Sequence, residues 1–290
     1  MKRYAGIVVL YQPTLQVYQN MLTYIEPLEC VFVMDNSTEY NQELITKIKS
    51  NPKCVYLPMD GNIGLAGALN KGCNIAYEKG FDYILTMDQD SYFEESAVSR
   101  LIARAEKASD EMAIIAPNVT SVYLDEETGE QRVAYVLQDE NGEYDQTWVM
   151  TSGSLMNLAA FHAIGGFDED FFIAHIDVDF GIRLTLVGYQ TIMLGNAMIF
   201  QRFGHSKPKK ILWKTVYPWY EAPNRTYYLF RNHTYMMKKY GKKIKPLVHV
   251  SLSNHIIKIL LFENKKMKKI KNAWLGYWDG RKGKMGKWNG

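Results

Sequence analysis

Two carboxylates one residue apart, Asp88 and Asp90, close the run Phe81-Asp82-Tyr83-Ile84-Leu85-Thr86-Met87-Asp88-Gln89-Asp90-Ser91. The aromatic and aliphatic residues before them read as a buried strand. A strand that ends in Asp-x-Asp carries acids to the carboxyl edge of a sheet, where open α/β sheets bind ligands. Two hard oxygen donors there suit Mg²⁺ or Mn²⁺, and such a metal commonly serves phosphate. The bland alternative is a polar turn after a strand. A second acidic group is Asp177-Val178-Asp179-Phe180-Gly181-Ile182-Arg183. The segment from Asp177 to Val187 has helical spacing, with Phe180, Leu184 and Val187 on one face. Asp177 at its start is either a helix cap or a rigidly held functional carboxylate. Asp179 is spaced to pair with Arg183 at i, i+4, a surface contact worth roughly a few tenths of a kcal/mol.

Small residues dominate Asp60-Gly61-Asn62-Ile63-Gly64-Leu65-Ala66-Gly67-Ala68-Leu69-Asn70-Lys71-Gly72. Such a loop lets backbone approach a ligand, and a helix N-terminus there favours an anion. It is neither a Walker loop nor GxGxxG, and a tight turn before a packed helix is the alternative. Thr151-Ser152-Gly153-Ser154 is a run of small hydroxyl residues suited to a pocket wall. His205 sits in a polar loop with Lys207, Lys209 and Lys210, where an isolated histidine is either solvated or a ligand.

The positioning elements alternate. Gly6 to Leu10, Cys30 to Met34 (ending at Asp35), Val55 to Leu57, the Asp88 strand, Met112 to Ala116 (ending at Pro117), Thr151 to Met156 and Gln190 to Leu194 read as strands. Helical spacing covers residues 14–26, 40–49, 96–107, 159–164 and 177–187, and the small-residue stretch becomes helical through Tyr77. Residues 118–147, polar and rich in Asp, Glu and Gly, read as a hairpin or mobile excursion over the site. Strands alternating with helices predict an α/β fold with a mostly parallel central sheet flanked by helices.

At 290 residues the chain is one large domain, or one domain with an appendage. Aromatics at 13% fit sugar stacking as well as core packing. Cys30, Cys54 and Cys73 form no metal-ligand spacing, and an odd, sparse set points to reduced thiols. The start shows no signal peptide, and no apolar stretch reaches membrane-spanning length. Charge is uneven: residues 238–290 hold 15 Lys or Arg against Glu263 and Asp279, so a basic tail follows an acidic body. Residues 247–262 are apolar but interrupted by His, Asn and Lys. Lysines then mix with Trp274, Tyr277, Trp278 and Trp288. This reads as an interfacial segment on anionic lipid, or as a helical pair packed on the body or on another subunit. No nucleic-acid module is present, so nucleic acid is not an expected partner.

Taken in order, the strand ending in Tyr11-x-Pro13, Asp35-Asn36-Ser37, Asn62-x-Gly64 … Asn70-x-Gly72, Asp88-Gln89-Asp90-Ser91, Thr151-Ser152-Gly153, Gly165-Gly166-Phe167-Asp168-Glu169, Asp177-x-Asp179-x-x-x-Arg183 and His205 form one set. It resembles the inverting family-2 glycosyltransferases of GT-A fold over about residues 4–235. Leu85 to Ser91 and Arg225-Thr-Tyr-Tyr-Leu-Phe-Arg231-Asn232 look most like bacterial rhamnosyltransferases. The resemblance implies a GT-A domain over residues 1–235 and a C-terminal helical, basic and aromatic segment over 236–290. It implies a nucleotide-sugar site at Tyr11, Asp35, Asn62, Gly64, Asn70 and Asp88. Asp90 would be the direct metal ligand with His205 near it, Mg²⁺ or Mn²⁺ the cofactor, and Asp177 the general base. Thr151, Ser152, Gly153, Asp179 and Arg183 would line the donor and acceptor pocket. Many relatives have Glu-Asp where this chain has Ile176-Asp177.

The implied reaction moves L-rhamnose from dTDP-rhamnose onto a lipid-linked or polysaccharide acceptor of the bacterial surface. The place is cytoplasmic, peripheral on the inner face of the plasma membrane, and a homo-oligomer is left open. UDP-galactofuranose, UDP-glucose and UDP-galactose stay open as donors. A sugar-nucleotide pyrophosphorylase would want a Gly- and Arg-rich loop where Tyr11-Gln12-Pro13-Thr14 stands. A non-catalytic membrane adaptor is disfavoured by the acids at 35, 88, 90 and 177.

Overall fold

The computed structural model describes residues 2–125, 128–203, 208–211, 214–216, 218, 220–241 and 252–290. Its centre is a set of strands buried on both faces, which is why they read as unbroken apolar runs. β1 (Tyr4–Leu10), β2 (Cys30–Asp35), β3 (Cys54–Pro58) and β4 (Tyr83–Asp88) pair in parallel in the order β3-β2-β1-β4. Along β1, Ala5, Ile7 and Val9 enter one core, while Tyr4, Val8 and Leu10 enter the core on the other face. Register brings the carboxyl ends level: Leu10 lies opposite Asp35, and Val9 lies opposite Asp88. Both acids therefore leave the sheet along one edge.

Beyond β4 the sheet becomes mixed. β9 (Leu155–Asn157) runs antiparallel between β4 and β6 (Met112–Leu124), and β6 pairs in parallel with β10 (Gln190–Gln201). β5 (Tyr92–Phe93) closes that side, antiparallel to β10. The expected hairpin is present, since β7 (Gln131–Val136) returns along β6, and β8 (Glu143–Asp145) lies on β10. Both β6 and β10 run further than the sequence predicts. Pro117 pairs with Leu194 where residues 195–197 bulge out before Met198 resumes the ladder opposite Asn118. The missing proline N–H thus falls at a break in the ladder and costs the strand little. Only β9 forms within the predicted strand over Thr151–Met156; Thr151 to Ser154 make a turn, closed by the Ser154 N–H donating to Thr151 O at 3.2 Å.

Helices α1 (Gln16–Leu22), α2 (Gln42–Ser50), α3 (Leu65–Glu78), α4 (Ala97–Ala105), α5 (Leu158–Ala163) and α6 (Ile176–Leu186) flank the sheet. α1 is shorter than the predicted 14–26. The Thr23 hydroxyl donates to Asn20 O at 2.7 Å, and the Thr23 and Tyr24 N–H groups turn back onto Asn20 and Met21, which ends it in tight turns.

The C-terminal part is a small hairpin, β11 (Lys209–Ile211) with β12 (Lys214–Val216), and three helices, α7 (Pro223–Tyr240), α8 (Leu252–Phe262) and α9 (Lys266–Lys282). The division expected at 235/236 falls inside α7. α9 crosses α7 closely: a Cβ at Gly276 would stand 2.3 Å from Tyr227 O, and one at Gly280 2.3 Å from Arg231 O. The chain then returns to the body, where the Gly286 N–H donates to Asp170 O at 2.8 Å and Trp288 stacks on Tyr227 at 4.1 Å. Among the described residues no helix is long and apolar enough to cross a membrane. The three cysteines are free.

Candidate active site

Asp88 is the last residue of β4, and its surroundings fix the Asp-Gln-Asp turn from three sides. The Tyr11 N–H donates to Gln89 Oε1 at 2.9 Å and Gln89 Nε2 donates back to Tyr11 O at 3.2 Å, so Tyr11 meets the acids through its backbone. Asn20 Nδ2 donates to Gln89 O at 3.0 Å. The buried Ser152 hydroxyl accepts the Asp88 N–H at 3.2 Å and donates to Ser91 Oγ at 2.9 Å. Gly153 has φ of 83°, and a Cβ there would lie 2.6 Å from Ile199 and 2.7 Å from Pro117. Thr151, Ser152 and Gly153 thus form the turn that braces the acids, with Thr151 O accepting the Thr86 hydroxyl.

Asp177 is the second residue of α6, and its Oδ1 accepts the Val178 N–H at 2.9 Å. Burial pushes its carboxyl up to about 6, against the pull of Arg225. Asp88 is pushed up to about 7, first by burial, then by the charge of Asp90 and, less, of Asp177. Arg225 and a 3.2 Å hydrogen bond from Gln201 Nε2 act the other way on Asp88. Asp90 is also raised, by the protein packed around it, with Arg225 and Arg202 opposing. Asp88, Asp90 and Asp177 therefore share one electrostatic neighbourhood, with Arg225 acting on all three. Arg225 stands in the first turn of α7, its Nε 3.6 Å from Glu221.

Desolvated carboxylates that raise one another's protonation range are a donor set for a hard divalent cation. Among the described residues no group of three or more His, Cys, Asp or Glu side chains forms a complete metal cage. Asp88 and Asp90 fit the other arrangement, in which one or two carboxylates hold the ion and substrate phosphates and water complete it. His205 lies outside the described residues.

At the same edge, Asp35 is fully buried, accepting the Tyr56 hydroxyl at 2.7 Å and the Ser37 N–H at 3.1 Å. Asn62 Oδ1 accepts from Asn36 Nδ2 at 3.2 Å and from the Gly64 N–H at 2.9 Å, which shapes the small-residue loop. Gly64 has φ of 88°, and a Cβ would meet the Phe172 ring at 2.7 Å, so only glycine fits.

Three expected pocket residues are spent on structure. Asn70 Nδ2 donates to Phe167 O at 2.9 Å and Glu169 Oε1 at 2.8 Å, and its Oδ1 accepts the Phe167 N–H at 2.8 Å. It ties the Gly-Gly-Phe loop to α3 with both amide protons and one lone pair of its oxygen. Asp179 is wholly buried, taking Arg183 Nε at 2.7 Å on one oxygen and Lys239 Nζ at 3.1 Å and the Tyr240 hydroxyl on the other. Arg183 also donates to Ile164 O at 2.9 Å and Gly166 O at 2.6 Å. The predicted surface pair is thus part of a buried cluster that engages both side chains. Arg225 and Gln201 are the site residues that sequence reasoning missed; an arginine just after a helix-starting proline, Pro223, was the available signal. A separate depression of about 470 Å³ lies between α4 and β10, away from the acids, and its Arg104 already pairs with Glu143 at 2.8 Å.

The model of the family described as Glycosyl transferase family 2 matches residues 12–174, more than half the chain. The chain belongs to the family-2 glycosyltransferases, and its fold is GT-A-like. It is rhamnosyltransferase-like: it is 22% identical over 293 residues to the dTDP-rhamnosyl transferase RfbF of Shigella flexneri, covering 97% of this chain and 96% of that one. It is 33% identical over 72 residues to the poly-beta-1,6-N-acetyl-D-glucosamine synthase of Staphylococcus aureus (strain COL), only 25% of this chain and 17% of the relative. S. aureus TarS 1-349 in complex with UDP-GlcNAc superposes with a TM-score of 0.55 at 13% identity, covering 97% of this chain and 92% of that one. GalNAc-T7 with UDP, GalNAc and Mn²⁺ gives a TM-score of 0.61 at 9% identity over 97% of this chain, which spans only 56% of that one.

Proposed function

We propose that this glycosyltransferase is metal-dependent and inverting, and that it moves L-rhamnose from dTDP-rhamnose onto a lipid-linked or polysaccharide acceptor in bacterial surface-polysaccharide synthesis. The observation that carries the reading is that Asp90, from the end of β4, and Asp177, from the start of α6, both act electrostatically on the buried Asp88 carboxyl. Asp177 is the general base that takes the acceptor hydroxyl proton during attack on the anomeric carbon, and burial that lifts its carboxyl to about 6 suits a base working near neutrality. Direct displacement needs only this one catalytic carboxylate, unlike the pair used in glycoside hydrolysis. Asp88 and Asp90 hold Mg²⁺ or Mn²⁺, which when bound supplies positive charge to the departing diphosphate. Arg225, whose charge acts on all three acids, adds positive charge to the site. Asp35, Asn62 and Gly64 line the nucleotide end.

Similarity to RfbF along the whole chain favours dTDP-rhamnose. The fold shared with a TarS complex of UDP-GlcNAc keeps a UDP-sugar as the second reading. The C-terminal segment is proposed to rest on the anionic inner face of the plasma membrane, because Ile257, Leu261, Met267, Trp274 and Trp278 are exposed among its lysines. The test is release of nucleotide from dTDP-rhamnose and from UDP-glucose, UDP-galactose and UDP-galactofuranose, with Mn²⁺ and with EDTA. Mn²⁺-dependent turnover of dTDP-rhamnose at least tenfold above the UDP-sugars is expected; preference for a UDP-sugar, or turnover indifferent to EDTA, contradicts it.

A further inference from the structure

The turn that delivers Asp177 is held in a conformation its own residues disfavour. Phe172, Ala174 and His175 all have positive φ, at 62°, 66° and 60°, and none is glycine. Non-glycine residues stay in that region only when the surroundings over-determine them. Two consecutive residues of α7 supply that determination. Asn232 Nδ2 donates to Phe171 O at 3.0 Å, Ile173 O at 2.8 Å and Ala174 O at 2.8 Å. Arg231 Nη2 donates to Asp170 O at 3.2 Å and Phe171 O at 3.0 Å, and its Nε donates to Asn232 Oδ1 at 2.8 Å, which orients the amide. Both side chains are fully buried.

Arg231 is solvated by carbonyls and by the faces of Tyr227 and Tyr228, at 5.6 and 4.8 Å, and among the described residues no carboxylate is hydrogen-bonded to it. A buried guanidinium spent on carbonyl oxygens is an expensive way to hold a turn, and an apolar contact would hold a helix equally well. The far side of the same turn is tied to the small-residue loop, since the Leu65 N–H donates to Phe172 O at 2.8 Å and the Phe172 ring fills the space left by Gly64. The clamp thus fixes the turn between α7 and the nucleotide loop, two residues before Asp177.

We infer that Arg231 and Asn232 are positioning residues for Asp177: they hold the strained 172–175 turn so that the carboxylate meets the acceptor hydroxyl. This rests on Asp177 being the base. A misplacement of about 1 Å at a reacting group costs roughly a hundredfold in rate. The test is a double-mutant cycle of Asn232→Ala with Asp177→Asn, read as Mn²⁺-dependent release of dTDP from dTDP-rhamnose, water standing in for the acceptor. Asn232→Ala should lower kcat about ten- to a hundredfold in the wild-type background and less than about threefold on top of Asp177→Asn, with the donor KM within about threefold. Arg231→Lys keeps the charge, loses the fork, and should show the same pattern if Asn232→Ala folds poorly. Hydrogen exchange of residues 172–178 should speed up in both variants while the central strands stay protected.

Equal fold losses in both backgrounds, or a loss carried by KM, would overturn the inference and leave the base assignment standing. Near wild-type turnover of Asp177→Asn would remove both.

Discussion

Gln89, the residue between the two acids, closes a two-way hydrogen-bond pair with the backbone of Tyr11 at 2.9 and 3.2 Å. The end of β1 and the Asp-Gln-Asp turn therefore move as one body. Gln89→Leu removes both bonds, and because water can meet the exposed Tyr11 groups the cost should be about 0.5–1.5 kcal/mol. The expected result is a melting point lower by a few degrees and a larger proportional loss of Mn²⁺ affinity, read by calorimetry.

Both raised acids predict a pH-dependent metal site. Asp88 lies at about 7 through burial and the neighbouring Asp90, so below that pH a divalent ion must displace a proton. Metal affinity should fall about tenfold per pH unit below 7 and level off above it. Without metal, a carboxyl raised above its ordinary value favours the folded state below about pH 4, and that contribution is lost as pH rises through 7. Buried His175, pushed down to about 3 by burial, works in the opposite sense: its contribution holds above about 6.5 and fades as pH falls. The shift in melting point caused by Mn²⁺ isolates the acids. It should be larger at pH 8 than at pH 6, and Asp88→Asn should flatten the difference.

The acids at strand ends, the small-residue loop and the helix bearing Asp177 were legible in the sequence because each depends on local pattern. What was not legible depends on partners far along the chain. Asp179 suggested a surface pair with Arg183 until Lys239 and Tyr240, from α7, closed over it. Asn70 suggested a ligand contact, yet its partners are residues 167 and 169. β6 passes through Pro117 only because β10 bulges opposite it. Arg225 acts on the acids from a helix about 135 residues beyond Asp90, and its place just after Pro223 is the one local hint of it.

The turn between α8 and α9 holds a buried ion pair, Lys269 with Glu263, and Lys269 also donates to Asn264 at 3.2 Å. Burial raises the nearby Glu221, with Glu263 adding to the rise and Lys269 offsetting it. Lys269→Met removes the cation bonded to buried Glu263 and should cost about 3–5 kcal/mol in urea unfolding. Lys269→Met with Glu263→Met should recover most of the loss, because the stranded charge goes with its partner.

Membrane contact can be tested without cutting the chain. Ending it near residue 237 would sever α7 and remove α9, which packs on it. Trp274→Glu with Trp278→Glu changes only exposed rings, 63% and 41% accessible. With vesicles containing about a third phosphatidylglycerol, the full chain should sediment and the double variant should bind at least tenfold more weakly, with melting point unchanged. Equal sedimentation would assign this face to something other than lipid.

The central claim is that Asp177 removes the acceptor proton at a metal-diphosphate site built on Asp88 and Asp90. It is tested most directly by the turnover of Asp177→Asn with dTDP-rhamnose and Mn²⁺, alongside calorimetric donor binding. The account predicts kcat lower by about 10²–10⁴ with donor affinity within threefold of wild type. Turnover within threefold of wild type would contradict it.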